Sequence, residues 1–147
     1  MGFAALITWF AAIVAGLYML TVWLIENDVT ARRVAPSQLP VPVIFTHLVL
    51  AIAGLALWVA YLILDRSTLA WAAFGVLSVI VLLGLTMFAR WIPVYRGPAQ
   101  SAHQAPDGVL AVPAEGNFPV AVVATHGLLA GITLVLVLLT ALGIGGS

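Results

Sequence analysis

Four long apolar runs, separated by polar or Pro- and Gly-containing segments, dominate the chain. They cover approximately residues 3–25, 41–64, 69–89 and 118–144. About 20 helical residues, at a rise of about 1.5 Å each, are enough to cross the hydrocarbon core of a bilayer. The runs lack the alternation of apolar and polar residues that a membrane β-barrel needs. The pattern therefore predicts an all-α fold, with four transmembrane helices in an up-down bundle.

The two halves of the chain are copies of one another. Residues 39–47 recur as residues 118–126, with a Pro, two Val, a Thr and a His in step. The first and third helices also match at less common residues: Gly16, Met19 and Trp23 correspond to Gly84, Met87 and Trp91. We expect one integral membrane domain, residues 1–147, made of two helical hairpins, residues 3–64 and 71–144. Because each hairpin crosses the membrane twice, the copies form a parallel repeat.

The repeat places one histidine in each of the second and fourth helices, at one depth. Around His47, the positions shared with the fourth helix include Val43, Leu50, Ala51 and Leu55, which lie on one helical face. A face retained in both copies indicates a common interior environment, so His47 and His126 are predicted to point into the bundle. In an up-down bundle the second and fourth helices are diagonal, roughly 12–14 Å apart. That gap is wide enough for two imidazoles with a metal ion between them.

Composition agrees with the hydrophobic pattern: 64% of residues are hydrophobic, 7% are charged, and the mean hydropathy is +1.21. The five basic residues are all arginines, and four of them flank or occupy the first and third loops. The positive-inside rule then predicts a multi-pass protein of the cell inner membrane, with these loops cytoplasmic and the termini outside. The chain has no cysteine, which excludes disulfides and thiolate-bound clusters. With a formal net charge of zero, nucleic acid is not an expected partner.

An ionisable residue inside a membrane helix indicates function by default, and this chain has two at equivalent positions. His47 and His126 are candidate axial ligands of one haem b, since neutral imidazoles in apolar surroundings suit that role. This layout resembles the general plan of small four-helix membrane b-type cytochromes, which implies electron transfer rather than an enzyme acting by itself. Arginines near the histidine layer are candidates for pairing the haem propionates: Arg32, Arg33, Arg90 and Arg96.

Other interpretations of the histidines remain open at this stage. They can serve helix packing in a non-catalytic subunit of a larger membrane complex, because intramembrane polar contacts contribute about 0.6–2 kcal/mol. A quinone-binding or proton-handling role, or a small transporter, is a third hypothesis. Expected partners are the lipid bilayer and another membrane subunit or redox protein, and a homo-oligomer is also compatible. Within a long polar loop, residues 92–117, the tract from Arg96 to Gly116 is predicted to be irregular and surface-exposed.

Overall fold

The protein folds as a bundle of four long helices. The computed structural model describes residues 1–26, 37–97, 103–104, 110–111 and 113–144. The helices are α1 (Gly2–Glu26), α2 (Val41–Leu64), α3 (Ser67–Arg96) and α4 (Val120–Ala141). A 3₁₀ turn, Ala114–Asn117, precedes α4, and two short strands, β1 (His103–Gln104) and β2 (Leu110–Ala111), pair antiparallel. All four helices are long and apolar enough to cross a membrane. The predicted all-α fold is confirmed.

The helices follow one another around the bundle in chain order. Helix α1 packs most extensively against α4, and α2 packs most extensively against α3. The contacts between α3 and α4 and between α1 and α2 close the ring. Helices α2 and α4 are therefore diagonal, as the up-down arrangement predicts, and their facing sides enclose the centre of the bundle.

Two repeat-related prolines start the helices that carry the histidines. Pro40 and Pro119 lie directly before α2 and α4, with φ of −67° and −63° and an extended ψ. Proline fits at a helix start because its missing N–H has no intrahelical partner there. The carbonyl of each proline accepts hydrogen bonds from the amides three and four residues ahead. Since His47 and His126 each follow their proline by the same number of residues, both enter the bundle at the same level.

Helix α3 is longer than its predicted membrane span. It continues past residue 89 to Arg96, through Pro93, so the first residues of the predicted loop are helical. Trp91 and Val94 are buried in this last stretch. Burial of these two side chains compensates for the hydrogen bond that Pro93 cannot donate. The helix ends at Gly97, whose amide donates to the Pro93 carbonyl.

Three residues shortly before α4, namely Pro113, Ala114 and Glu115, are buried, which corrects the expectation of surface exposure for this part of the tract from Arg96 to Gly116. Most of the rest of that tract lies outside the described residues. Ala114 is 3% exposed and Glu115 is 0% exposed. The prediction relied on the Pro, Gly and Ala content of the tract, which favours an irregular backbone but does not determine whether that backbone packs on the bundle. Here the segment covers the end of the bundle nearest the histidines.

A hydrogen-bond network centred on Glu115 holds this segment in place. The Glu115 carboxylate accepts hydrogen bonds from the Ser37 hydroxyl, at 2.9 Å, and from the Gln38 amide. The Ser37 hydroxyl in turn accepts a hydrogen bond from Trp23 Nε1 at 3.1 Å. Trp91 Nε1 donates to the main-chain oxygen of Glu115 at 3.0 Å. The two repeat-related tryptophans therefore each hold one of the segments that lead into α2 and α4.

Replacing Glu115 by Ala is expected to lower the free energy of unfolding by about 2–3 kcal/mol, because donors left without a buried charged acceptor are costly. Reversible denaturant unfolding in detergent measures the change. The matched control is Glu26→Ala, which removes an exposed acid at the end of α1 and should change stability little. Equal effects of the two substitutions would contradict a structural role for the Glu115 network.

Candidate functional site: a histidine pair in an apolar cavity

The two predicted histidines meet in the interior of the bundle. Their ring centres are 6.2 Å apart and the ring planes are inclined at 53°. His47 comes from α2 and His126 from α4, so the pair joins the two diagonal helices. The interior placement predicted from the repeat is found in the structure.

His126 is anchored through one ring nitrogen. Its Nδ1 lies 2.9 Å from the main-chain oxygen of Ala12 on α1. A carbonyl oxygen only accepts hydrogen bonds, so Nδ1 carries the proton and Nε2 has the free lone pair. Among the described residues Nε2 has no hydrogen-bond partner, and the ring lines a cavity. An imidazole held in this way is oriented for coordination, because a second-shell bond to one nitrogen fixes the tautomer.

His47 is arranged similarly but is held less firmly. Its backbone neighbour is Ile80 on α3, the repeat counterpart of Ala12. However, Nδ1 of His47 is buried and makes no regular hydrogen bond within the part of the chain that the structure describes. The duplication has therefore preserved the surroundings of the ring, while the anchoring bond is formed on the His126 side alone.

A glycine on the neighbouring helix lies against each imidazole. A Cβ atom added to Gly16 would be 3.2 Å from Cε1 of His126. At the repeat counterpart, a Cβ atom added to Gly84 would be 3.4 Å from Cε1 of His47. Both rings therefore fit closely against bare backbone. The correspondence of Gly16 with Gly84 in the sequence follows from this packing.

The histidines line a cavity of about 560 Å³ inside the bundle. This volume is typical of sites that bind small molecules or cofactors, roughly 300–1,000 Å³. Trp9, Leu77 and Thr133 lie at its deeper end, and Trp23 and Trp91 lie at the end near the first and third loops. Apart from the histidines and Thr133, the residues that line it are apolar or glycine. The repeat-related Met19 and Met87 are among them.

The separation of the rings matches coordination of one metal ion from opposite sides. Metal–imidazole bonds are about 2.0–2.1 Å, and a ring centre lies about 1.1 Å from each nitrogen, given ring bonds of about 1.33 Å. Two imidazoles on either side of one ion therefore have centres about 6.3 Å apart. The observed distance is 6.2 Å.

A bare metal ion fits this site less well than a metal that brings its own ligands. The described residues contain no group of three or more His, Cys, Asp or Glu side chains able to hold a metal ion. Structural and catalytic zinc sites use three or four protein ligands. A cofactor that brings its own metal ligands would need only two more from the protein, which is the number of imidazoles at this site.

The two predicted propionate partners that the structure describes, Arg90 and Arg96, do not line the cavity. Arg90 is exposed, and its guanidinium donates a hydrogen bond to the Gln38 carbonyl at 3.3 Å, next to the start of α2. Arg96 is exposed at the end of α3. Arg32 and Arg33 lie outside the described residues. Arg90 therefore lies at the end of the bundle nearest the histidines, with one hydrogen bond to the main chain.

Sequence reasoning missed Glu115 and the carbonyl of Ala12. Glu115 belongs to a loop, and an acidic loop residue is ordinarily solvated. The sequence did offer one signal. Glu115 lies four residues before Pro119, at the point where the chain returns to the bundle. The Ala12 carbonyl carries no side-chain signal, because any residue at that position supplies the same oxygen.

Comparison of the chain with protein-family models, with curated proteins and with solved structures finds no match.

Gly16→Ala should disturb the site more than Gly84→Ala. The added methyl group at Gly16 is closer to an imidazole than most real Cβ contacts, whereas at Gly84 it makes an ordinary contact. We expect Gly16→Ala to displace His126, which nuclear magnetic resonance of ¹⁵N-histidine-labelled protein in detergent would detect as a shifted ring signal. A larger shift for His47 in Gly84→Ala would contradict the described packing.

Proposed function

We propose that this protein is a membrane electron-transfer protein that binds one haem b between His47 and His126. The observation that carries the proposal is the 6.2 Å separation of two imidazole centres across an apolar cavity. That distance matches two axial ligands on one iron, and the repeat brings both rings to one depth.

Helix packing alone explains the arrangement less well. A histidine that serves only packing is satisfied by neighbouring helices, since an unpaired polar nitrogen in apolar surroundings costs about 1–3 kcal/mol. His126 uses Nδ1 for such a contact, but its Nε2 faces the cavity without a partner among the described residues. His47 also lines the cavity, and its Nδ1 is unpaired. A bound metal that accepts the Nε2 lone pair of each ring would satisfy both Nε2 atoms, and Nδ1 of His47 would keep only its contact with the Ile80 backbone.

The haem would supply one-electron chemistry, and the protein's residues would control its surroundings. His47 and His126 would hold it from opposite sides. Apolar side chains, including Met19 and Met87, would exclude water from its edge. Two features would set the reduction potential of the haem: its apolar surroundings and its two neutral imidazole ligands. Burial and the identity of the axial ligands are main ways in which a protein controls this potential.

Electrons would enter or leave at the end of the bundle near the first and third loops. Trp23 and Trp91 line the cavity there, and the cavity does not extend past Trp9 and Thr133 toward the opposite end. We propose that these loops face the cytoplasm of an inner-membrane protein, in accordance with their arginines. The partner would be a redox protein, another membrane subunit or a quinone that approaches this end.

Titration of the purified apoprotein with haemin tests the proposal. Absorbance should reach an end point at about one haem per chain, with the spectrum of a low-spin, six-coordinate iron. The double variant His47→Ala/His126→Ala should show no such end point. Its control is Met19→Leu/Met87→Leu, which changes the same cavity layer without removing an imidazole and should still bind haem. Equal binding by wild type and the double-histidine variant would refute the ligand assignment.

If Arg90 pairs a haem propionate, Arg90→Gln should lower the midpoint potential, because a nearby positive charge stabilises the reduced state. The expected shift is a few tens of millivolts at most, since solvent screens an exposed guanidinium. Redox titration measures it. Arg66→Gln, at the opposite end of the bundle, is the matched control and should leave the potential unchanged. The same potential in both variants would remove the proposed role of Arg90.

A further inference from the structure

The surroundings of the two histidines differ in a way that the sequence repeat conceals. His126 donates a hydrogen bond from Nδ1 to the Ala12 carbonyl, at 2.9 Å. The corresponding atom of His47 lies beside the Ile80 backbone but makes no regular hydrogen bond in the described part of the chain. The duplication made the two rings equivalent in sequence, but the backbone of the neighbouring helix holds His126 more firmly than His47.

We propose that His126 is the permanent ligand of the haem and His47 the exchangeable one, so that a small neutral molecule can bind iron in place of His47. This inference rests on the proposed function, because it concerns how the two histidines share one haem. The chemical class of the exogenous ligand is an uncharged diatomic molecule, of which carbon monoxide is the practical probe.

Hydrogen bonding supports the assignment. A bond from the distal nitrogen of a ligating histidine fixes the ring and increases the basicity of the coordinating nitrogen, and losing such a bond typically weakens metal binding 10–100-fold. His126 makes this bond with regular geometry, whereas His47 makes only a looser contact with the Ile80 backbone. The iron bond to His126 should therefore be the stronger of the two.

Steric contact supports it independently. The backbone of Gly16 lies against His126, and a Cβ there would be 3.2 Å from Cε1 and 3.5 Å from Nδ1. A Cβ on Gly84 would be 3.4 Å from Cε1 of His47 and 4.0 Å from its Nδ1. His47 has more room to turn. Since its Nδ1 makes only a looser contact with the Ile80 backbone, rotation of the ring away from the iron should cost less than rotation of His126.

The cavity favours an uncharged replacement ligand. Its lining is apolar apart from the histidines and Thr133, and the described side chains that line it include no positive charge to stabilise an anion. Transfer of a charged ligand into such surroundings is costly, whereas a neutral diatomic molecule loses little hydration. Carbon monoxide should therefore bind the reduced protein, and cyanide should bind the oxidised protein weakly.

The single variants His47→Ala and His126→Ala separate the two roles. We expect His47→Ala to retain haem as a five-coordinate, high-spin species, and added imidazole to restore the low-spin spectrum. His126→Ala should bind haem at least 10-fold more weakly than His47→Ala. Circular dichroism confirms that both variants are folded. Equal affinities, or weaker binding by His47→Ala, would overturn the assignment.

Carbon monoxide binding to the reduced wild-type protein gives a second test that needs no substitution. If His47 is exchangeable, saturating carbon monoxide should shift the Soret band, with one molecule bound per haem. A haem-loaded wild-type protein that is inert to carbon monoxide would overturn the exchange while leaving haem binding intact. A wild-type protein that binds no haem would instead refute the proposed function, and this inference with it.

Discussion

An imidazole inside a membrane bundle needs a partner for each of its two nitrogens, and this constraint organises the site. Water is scarce in the apolar interior, so partners must come from backbone, side chains or a bound group. His126 meets half of the requirement through the Ala12 carbonyl. The ring also lines the cavity, with its centre 6.2 Å from that of His47. Helix order, the prolines that start α2 and α4, and the glycines beside each ring all serve to bring these two side chains together.

Duplication of a hairpin explains why the site lies on the bundle axis. A repeat about an axis along the membrane normal places equivalent residues at one depth on diagonal helices. A ligand with two equivalent axial positions suits such a site. The symmetry is incomplete, however. Glu115 is buried on one side only, where it ties the segment before α4 to Ser37 and Gln38 before α2. The segment before α4, in the second half of the repeat, thus covers the site.

The helices, their order and the meeting of His47 with His126 followed from the sequence, because apolar length and an internal repeat are strong signals in a membrane protein. The extension of α3 to Arg96 did not, since Pro93 is a conventional sign of a helix end. Burial of Glu115 did not either. Both depend on how a particular loop packs on a particular helix end, and a pattern of apolar positions contains no information on that contact. The two histidines differ in how closely a backbone carbonyl approaches Nδ1, and the types of side chain in the sequence do not report that distance.

The central claim is that the two imidazoles coordinate one iron. A reduced-minus-oxidised visible spectrum of protein purified from its own membranes, with haem extracted and quantified per chain, tests this most directly. Coordination by both imidazoles should give a sharp low-spin α-band and about one haem b per polypeptide. A colourless, iron-free protein would contradict it.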